Sequence, residues 1–448
     1  MGPDAQRLSF GRLLAFSLPG VPIGGLAVAM TVYVPRYYAA HFALGLSAVG
    51  AAFMSVRLID MFFDPVIGAV MDRTRTRVGR YRAWLIAGAP LLAIPVVMLF
   101  IPPGPVSYAY LVGWLLIFYV GGSVVTLSHM SWASVVAASY HERSRVFGAI
   151  QITSVIAATL VLVIPSLVGS RSGAGDVQAM GWFIALAAPL GIALAASATA
   201  ERITPDVGVE RFRVRDYLEM LARPDMRRIV LCDACLTLGP QWMSAIYLFY
   251  FHDARGFTDA QSRYLLALYV VAGILGAGVL SWLATRIGKH RTLMISAAGY
   301  SLGLTGLSFV PKGAFAPMLG FMFAMGFLSS SFVVLVRAMT ADVGDAVRLE
   351  TGRNRIGLLF AFLTSTEKIA NALSIGLTFG VLALIGYDAR EGAANTAGAI
   401  GGLELVFLIG PISFVMLGAA SLVGYQLDHR RHAAIRQALD EQDAAHRG

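Results

Sequence analysis

Three ionisable side chains, Arg57, Asp60 and Asp64, lie inside an apolar run from Leu46 to Met71 that is long enough to cross a bilayer. At 100° per residue they project from one helical face. Exposing each to lipid would cost roughly 2.5–3.5 kcal/mol on insertion scales, so that face is expected to look into protein or into water. Two carboxylates beside one guanidinium leave room for one more positive charge. A carboxylate buried without its own base either attracts a cation or takes up a proton, and both are useful chemistry. The plainer alternative is an Arg–Asp pair that only ties two helices together.

The elements that must hold these groups follow from composition. The chain has 448 residues, of which 57% are hydrophobic and 14% charged, and its mean hydropathy is +0.69. That is the composition of an all-α, multi-pass membrane protein. Apolar stretches fall at roughly 13–34, 46–71, 83–101, 107–130, 146–169, 178–198, 229–251, 263–285, 292–310, 315–338, 356–386 and 401–427, twelve in all. Basic residues crowd every second connection, with Arg73, Arg75, Arg77, Arg80 and Arg82 in the first such loop. The positive-inside rule puts those loops and both termini in the cytoplasm, and the chain in the cytoplasmic (inner) membrane. The net charge of +9 is thereby spent on topology and membrane lipid, so no nucleic-acid partner is expected.

The expected organisation is an N-terminal six-helix half (1–198), a cytoplasmic central loop (199–228), a C-terminal six-helix half (229–427) and a cytoplasmic tail (428–448). Within the central loop, RFRVRDYLEMLARPDMRR suits an amphipathic helix lying on anionic lipid. The sequence GAVMDRTRTRVGRYR after the second span has a weaker counterpart, LSWLATRIGKHR, after the eighth, with Gly79 and Gly288 in matching places. Such a repeat predicts two pseudo-symmetric halves, the plan of a transporter pivoting about a midplane site. Cys232 and Cys235 sit in an apolar run and are expected to be buried, not redox-active or metal-binding. No removable signal peptide, nucleophile–base pair, metal cluster or phosphate loop is evident, which argues against an enzyme and against any cofactor beyond a coupling ion.

At these residues the chain resembles the major facilitator superfamily, and within it the glycoside–pentoside–hexuronide cation symporters, the melibiose-permease-like group. The resemblance rests on Arg57-x-x-Asp60-x-x-x-Asp64-Pro65-x-x-Gly68 followed by Asp72-Arg73-Thr74 and Gly79-Arg80, and on Ala341-Asp342, Thr351-Gly352, Gly357, Lys368 and Ile385-Gly386-Tyr387. It implies cation-coupled symport of a sugar or glycoside by alternating access, with Na⁺ or H⁺ as coupling ion. It also implies that Asp60 and Asp64 are the cation ligands (the metal ligands if the ion is Na⁺), with Lys368 close to them. Asp72, Arg73, Gly79 and Arg80 would form the cytoplasmic gate loop.

Lys368 is one of three lysines in the chain, and it lies too deep in its span to reach water comfortably. Its simplest partner is an acid, with Arg57 and Lys368 as charge partners of the carboxylates; the alternative is a salt bridge without a part in coupling. Thr364, one turn earlier, shares its face and offers an oxygen to the cation or to core packing. Glu367 points elsewhere, towards a base on the cytoplasmic side.

For the solute, His129 and Trp132 share one face and either orient a polar solute or hold helices together. Gln151, Trp242 and Asn371 complete the substrate-binding candidates. Asp233 is expected to pair with Arg227 or Arg228. The group's acids on helix one and helix four are replaced here, by Ser17-Leu18-Pro19-Gly20 and by His129. That loss keeps open a non-sugar amphipathic solute, such as a lysolipid or glycoconjugate, as an alternative. A non-transporting sensor or membrane enzyme is the remaining one. The partner is a small solute, and a monomer is expected.

Overall fold

The computed structural model describes residues 8–42, 44–136, 140–169, 172–201, 219–351, 356–425, 427 and 429–445. Among them every long regular element is a helix. The first span is built from α1 (Phe10–Ser17), α2 (Gly20–Val28), a π-helical turn (Ala29–Tyr33) and α3 (Val34–His41). Then come α4 (Leu46–Arg73), α5 (Arg80–Phe100), α6 (Tyr108–Val136), α7 (Tyr140–Leu167) and α8 (Gly173–Ala198). The later spans are α9 (Pro224–Phe249) with a second π turn (Tyr250–Ala254), α10 (Asp259–Ile287), α11 (Lys289–Ser308), α12 (Phe315–Thr351), α13 (Ile356–Leu384) and α14 (Ala397–Ser421). A tail helix, α15 (His429–Ala445), follows. The amphipathic segment expected at 211–228 lies, up to residue 218, outside the described residues.

Eleven of these spans are long and apolar enough to cross a membrane. The twelfth, α11, begins with Lys289, His290 and Arg291, which dilutes its hydropathy, yet its 20 residues extend about 30 Å at 1.5 Å per residue. The largest difference from the sequence reading is α12, which runs on to Thr351 and not to 338. Hydropathy marks only the part of a helix within lipid, and MTADVGDAVRLET keeps helical backbone beyond it. α4 likewise passes through Pro65 without a break; neighbouring helices commonly tolerate the lost amide in membrane helices.

The chain divides into two compact units. The first holds residues 1–207, 258–267 and 375–396, and the second 208–257, 268–374 and 397–448. In the first, α5 packs on α6 and α8, α4 on α6, and α2 on α7. In the second, α9 packs on α14 and α12, and α11 on α12 and α14. Exposed apolar side chains form ridges at helical spacing, such as Trp182, Leu186, Leu190 and Leu194 on α8. Those ridges are the surfaces that lipid covers.

The internal repeat is visible in the backbone. Gly79 and Gly288 take φ of +113° and +94°, and each stands immediately before the helix that follows its basic turn, α5 and α11. Glycine adopts that region without the steric cost other residues would meet. The first and seventh spans each carry one π turn, at Ala29–Tyr33 and Tyr250–Ala254.

After the second π turn, Arg255 is only 5% exposed. Its guanidinium donates to the Tyr250 hydroxyl and to the carbonyls of Leu307, Ser308 and Val310, the C-terminal end of α11. A buried cation is tolerable there because its donors meet carbonyls at the negative end of a helix.

The first unit also takes in the beginning of α10. Arg263 on α10 forms an ion pair with Asp176 on α8, and it donates to Ser166 Oγ of α7 at 3.2 Å. Asp176 and Arg263 are 2% and 4% exposed. A second pair joins Arg36 on α3 to Asp259 at 3.3 Å. Beyond α13, His41 and Glu391 meet at 3.0 Å.

Candidate functional site

α4 presents two chemically distinct faces. Ile59, Phe62, Val66 and Val70 point outward and are exposed, while Asp60 is 2% exposed and Asp64 is half-buried. The acids are therefore on the protein side of the helix, as the insertion cost requires.

Facing them on α6 is Ser123, whose hydroxyl lies 2.6 Å from Asp64 Oδ1 and 3.2 Å from Asp60 Oδ1. A hydroxyl carries one hydrogen. Asp64 is its nearer acceptor and Asp60 its farther one, so the two carboxylates share it. Two carboxylates are thus held around one hydroxyl in a poorly solvated place, an arrangement that attracts a positive ion or a proton. The oxygens of Asp60, Asp64 and Ser123 are ligands of the hard, alkali-cation type. Among the described residues no group of three or more His, Cys, Asp or Glu side chains is placed to hold a metal, and Na⁺ at this site would draw on hydroxyl and backbone oxygens as well as carboxylates.

Arg57 places its guanidinium 4.6 Å from the centre of the Tyr119 ring on α6. Ser123 was missed in the sequence, where it stands in an unremarkable GGSVV. Only its register on α6 relative to α4 marks it.

The second unit carries Thr364, Lys368 and Asn371 on α13. Thr364 is exposed and its hydroxyl donates to its own helix, to Phe360 O at 3.1 Å. Lys368 is half-buried. Asn371 is hydrogen-bonded by Gln241 of α9. Glu367 pairs with Arg337 of α12 at 3.0 Å.

His129 and Trp132 are both completely buried. His129 Nε2 is 2.8 Å from Phe16 O, and Phe16 packs against both rings at 5.1 and 5.0 Å between centroids. That placement is helix-to-helix packing between α1 and α6. Trp242 is also buried, donating to Val406 O at 3.0 Å and lying against Gly410 and Phe414 of α14. Gln151 is exposed on α7.

The basic turn between α4 and α5 is held by a residue far away in the sequence. Both Glu201 carboxylate oxygens accept from the first backbone amides of α5, those of Arg80, Tyr81 and Arg82, at 3.0, 3.1 and 2.8 Å. This satisfies three donors of a helix N-terminus with a favourably placed negative charge. A Cβ on Gly79 would lie 2.4 Å from Glu201 Oε2, so glycine is needed here both for its φ and for the room. Arg73 is exposed, Arg80 is half-buried, and the Asp72 side chain lies outside the described residues. Glu201→Ala is expected to cost about 1–2 kcal/mol, the scale of a lost N-cap, read as a lower melting temperature of the purified protein.

Comparison with known proteins shows the family and the fold. Residues 15–429 match the family model described as MFS/sugar transport protein. The isoprimeverose transporter of Lactiplantibacillus pentosus is 26% identical over 453 residues, covering 96% of this chain and 90% of its own. The glucuronide carrier protein homolog of Escherichia coli (strain K12) is 25% identical over 455 residues, covering 97% and 96%. In fold, the nucleoside transporter NupG superposes with a TM-score of 0.72 at 13% identity, over 93% of this chain and 100% of that one. With the family model matched over residues 15–429, nearly its whole length, the chain belongs to the MFS/sugar transport family of multi-pass membrane transporters.

Proposed function

We propose that this protein is a cation-coupled symporter that carries a sugar or glycoside across the cytoplasmic membrane by alternating access. The observation that carries the reading is the convergence of Asp60 and Asp64 on the Ser123 hydroxyl. Relatives named for isoprimeverose and glucuronide transport support the solute class.

In this reading Na⁺ or H⁺ binds between the two carboxylates, with Ser123 as a third oxygen and Arg57, on the same helix, as the accompanying positive charge. Binding neutralises a charge that is costly to enclose away from water, so the loaded site closes more readily than the empty one. The coupling is reciprocal: if the cation tightens solute binding, the solute tightens cation binding by the same factor. The helix ends bearing Arg73 to Arg82 face the cytoplasm, as the distribution of basic residues requires, and the working unit is a monomer. Gln151 in the first unit and Asn371 in the second remain polar groups proposed for the solute, Thr364 remains a candidate cation ligand, and His129, Trp132 and Trp242 serve packing within their own units.

The test is uptake by the purified full chain in liposomes, with labelled isoprimeverose and a methyl glucuronide, driven by an imposed Na⁺ or H⁺ gradient. Gradient-driven accumulation of either sugar supports the reading. Flux of a labelled lysophospholipid with no sugar uptake would replace it. Ser123→Ala removes a hydrogen bond to a charged acceptor, worth about 1.5–3 kcal/mol. It is expected to weaken the cation dependence of uptake about tenfold or more, measured as the cation concentration giving half-maximal rate.

A further inference from the structure

Asp233 on α9 is the buried acid that the site above does not use. It is 4% exposed, and its Oδ2 is buried with no hydrogen-bond partner. The charged side chains whose fields act on it are Glu367 of α13 and Arg337 of α12, not the Arg227 or Arg228 expected from the sequence. Arg337 is already engaged, donating to both Glu367 oxygens at 3.0 and 3.3 Å. The Arg337–Glu367 pair is neutral in sum, which leaves the Asp233 charge without compensation.

The other polar neighbours do not supply that compensation. Cys232 and Cys235 on the same helix are buried thiols. The place therefore holds two acids and one base, the same count as Arg57, Asp60 and Asp64 in the first unit.

A buried carboxylate oxygen left without a hydrogen bond or a compensating cation pays the cost of its desolvation, and the remedy that needs only that one oxygen is a proton. Water can deliver it. The Arg337 side chain is 53% exposed, and a charged side chain within a membrane helix faces water and not lipid.

We propose that Asp233 is a proton-binding site of the second unit, separate from the Asp60–Asp64 site, and that the Arg337–Glu367 pair sets whether it is loaded. A proton from water adds to an Asp233 carboxylate oxygen while Arg337 is held by Glu367. It returns to water when Arg337 turns to Asp233. Nothing is oxidised or reduced, and the site stands whether or not the first unit binds a cation.

The experiment uses the full chain in lipid, with the proton itself as the probe, and follows the carboxylic-acid C=O band by infrared difference spectroscopy at a pH of about 7. Asp233→Asn is expected to remove one carboxyl's share of that band, and the same share should persist in an Asp60→Asn/Asp64→Asn protein. Glu367→Gln releases Arg337 and takes away a like charge, so the Asp233 share should shrink; Arg337→Gln should enlarge it. A band unchanged by Asp233→Asn overturns the proposal. So do equal bands in Glu367→Gln and Arg337→Gln, a comparison that stands even if the Asp233 variant does not fold.

Discussion

Asp64→Asn is expected to abolish cation-driven sugar accumulation while leaving the protein folded. Asparagine keeps the shape of the side chain and its bond to Ser123 Oγ, which now lies 2.6 Å from Asp64 Oδ1, but it removes the charge. Losing one member of a buried, charge-paired set costs about 3–5 kcal/mol, which corresponds to roughly a 10²–10⁴-fold fall in cation affinity. Uphill uptake should disappear over any accessible cation gradient, while exchange of labelled for unlabelled sugar, which needs no driving ion, is spared more. Asp60→Asn should be at least as severe, because Asp60 is the more deeply buried of the two. Uptake that keeps its wild-type cation dependence in Asp64→Asn would count against the coupling role given to this pair.

Arg263→Ala is the second large effect. It strands Asp176, which is 2% exposed, without the guanidinium that pairs with it, and it takes a donor from Ser166. Breaking a buried pair from one side costs about 3–5 kcal/mol, whereas removing both members costs far less, since no uncompensated charge remains. Thermal unfolding of the detergent-purified protein should therefore show Asp176→Ala/Arg263→Ala to be more stable than Arg263→Ala. Additive losses in that cycle would mean that the two side chains act independently. Arg36→Ala is expected to be much milder, because Asp259 is 31% exposed and water can replace the lost partner.

The acids of α4 were legible from sequence because a charge inside an apolar run has few explanations, and helical geometry alone puts Asp60 and Asp64 on one face. Eleven of the twelve expected spans, and the glycines before the two basic turns, were legible for the same kind of reason, since hydrophobic length and a glycine before a basic turn are local properties. Ser123, Glu201 and the partners of Asp233 were not. Each depends on the rotation of one helix about its axis relative to another, which hydropathy does not encode when a helix is apolar on most sides. Aromatic and histidine residues leave two readings open for the opposite reason. His129 and Trp132 have the chemistry of a solute site, but burial beside Phe16 uses the same chemistry to join helices. Glu201 stands 121 residues from the amide of Arg80 that it receives, a separation no motif spans.

The paired π turns carry a further consequence. Such a turn is an α-helix that has accommodated one additional residue, so whatever follows it is rotated by about 100° from where an uninterrupted helix would have carried it. Arg36, just past the first, and Arg255, just past the second, each owe their aim to that offset. Excising a single residue from Ala29–Tyr33 or Tyr250–Ala254 would shorten the chain almost imperceptibly, yet it would swing one arginine a quarter-turn away from the groups it now clasps.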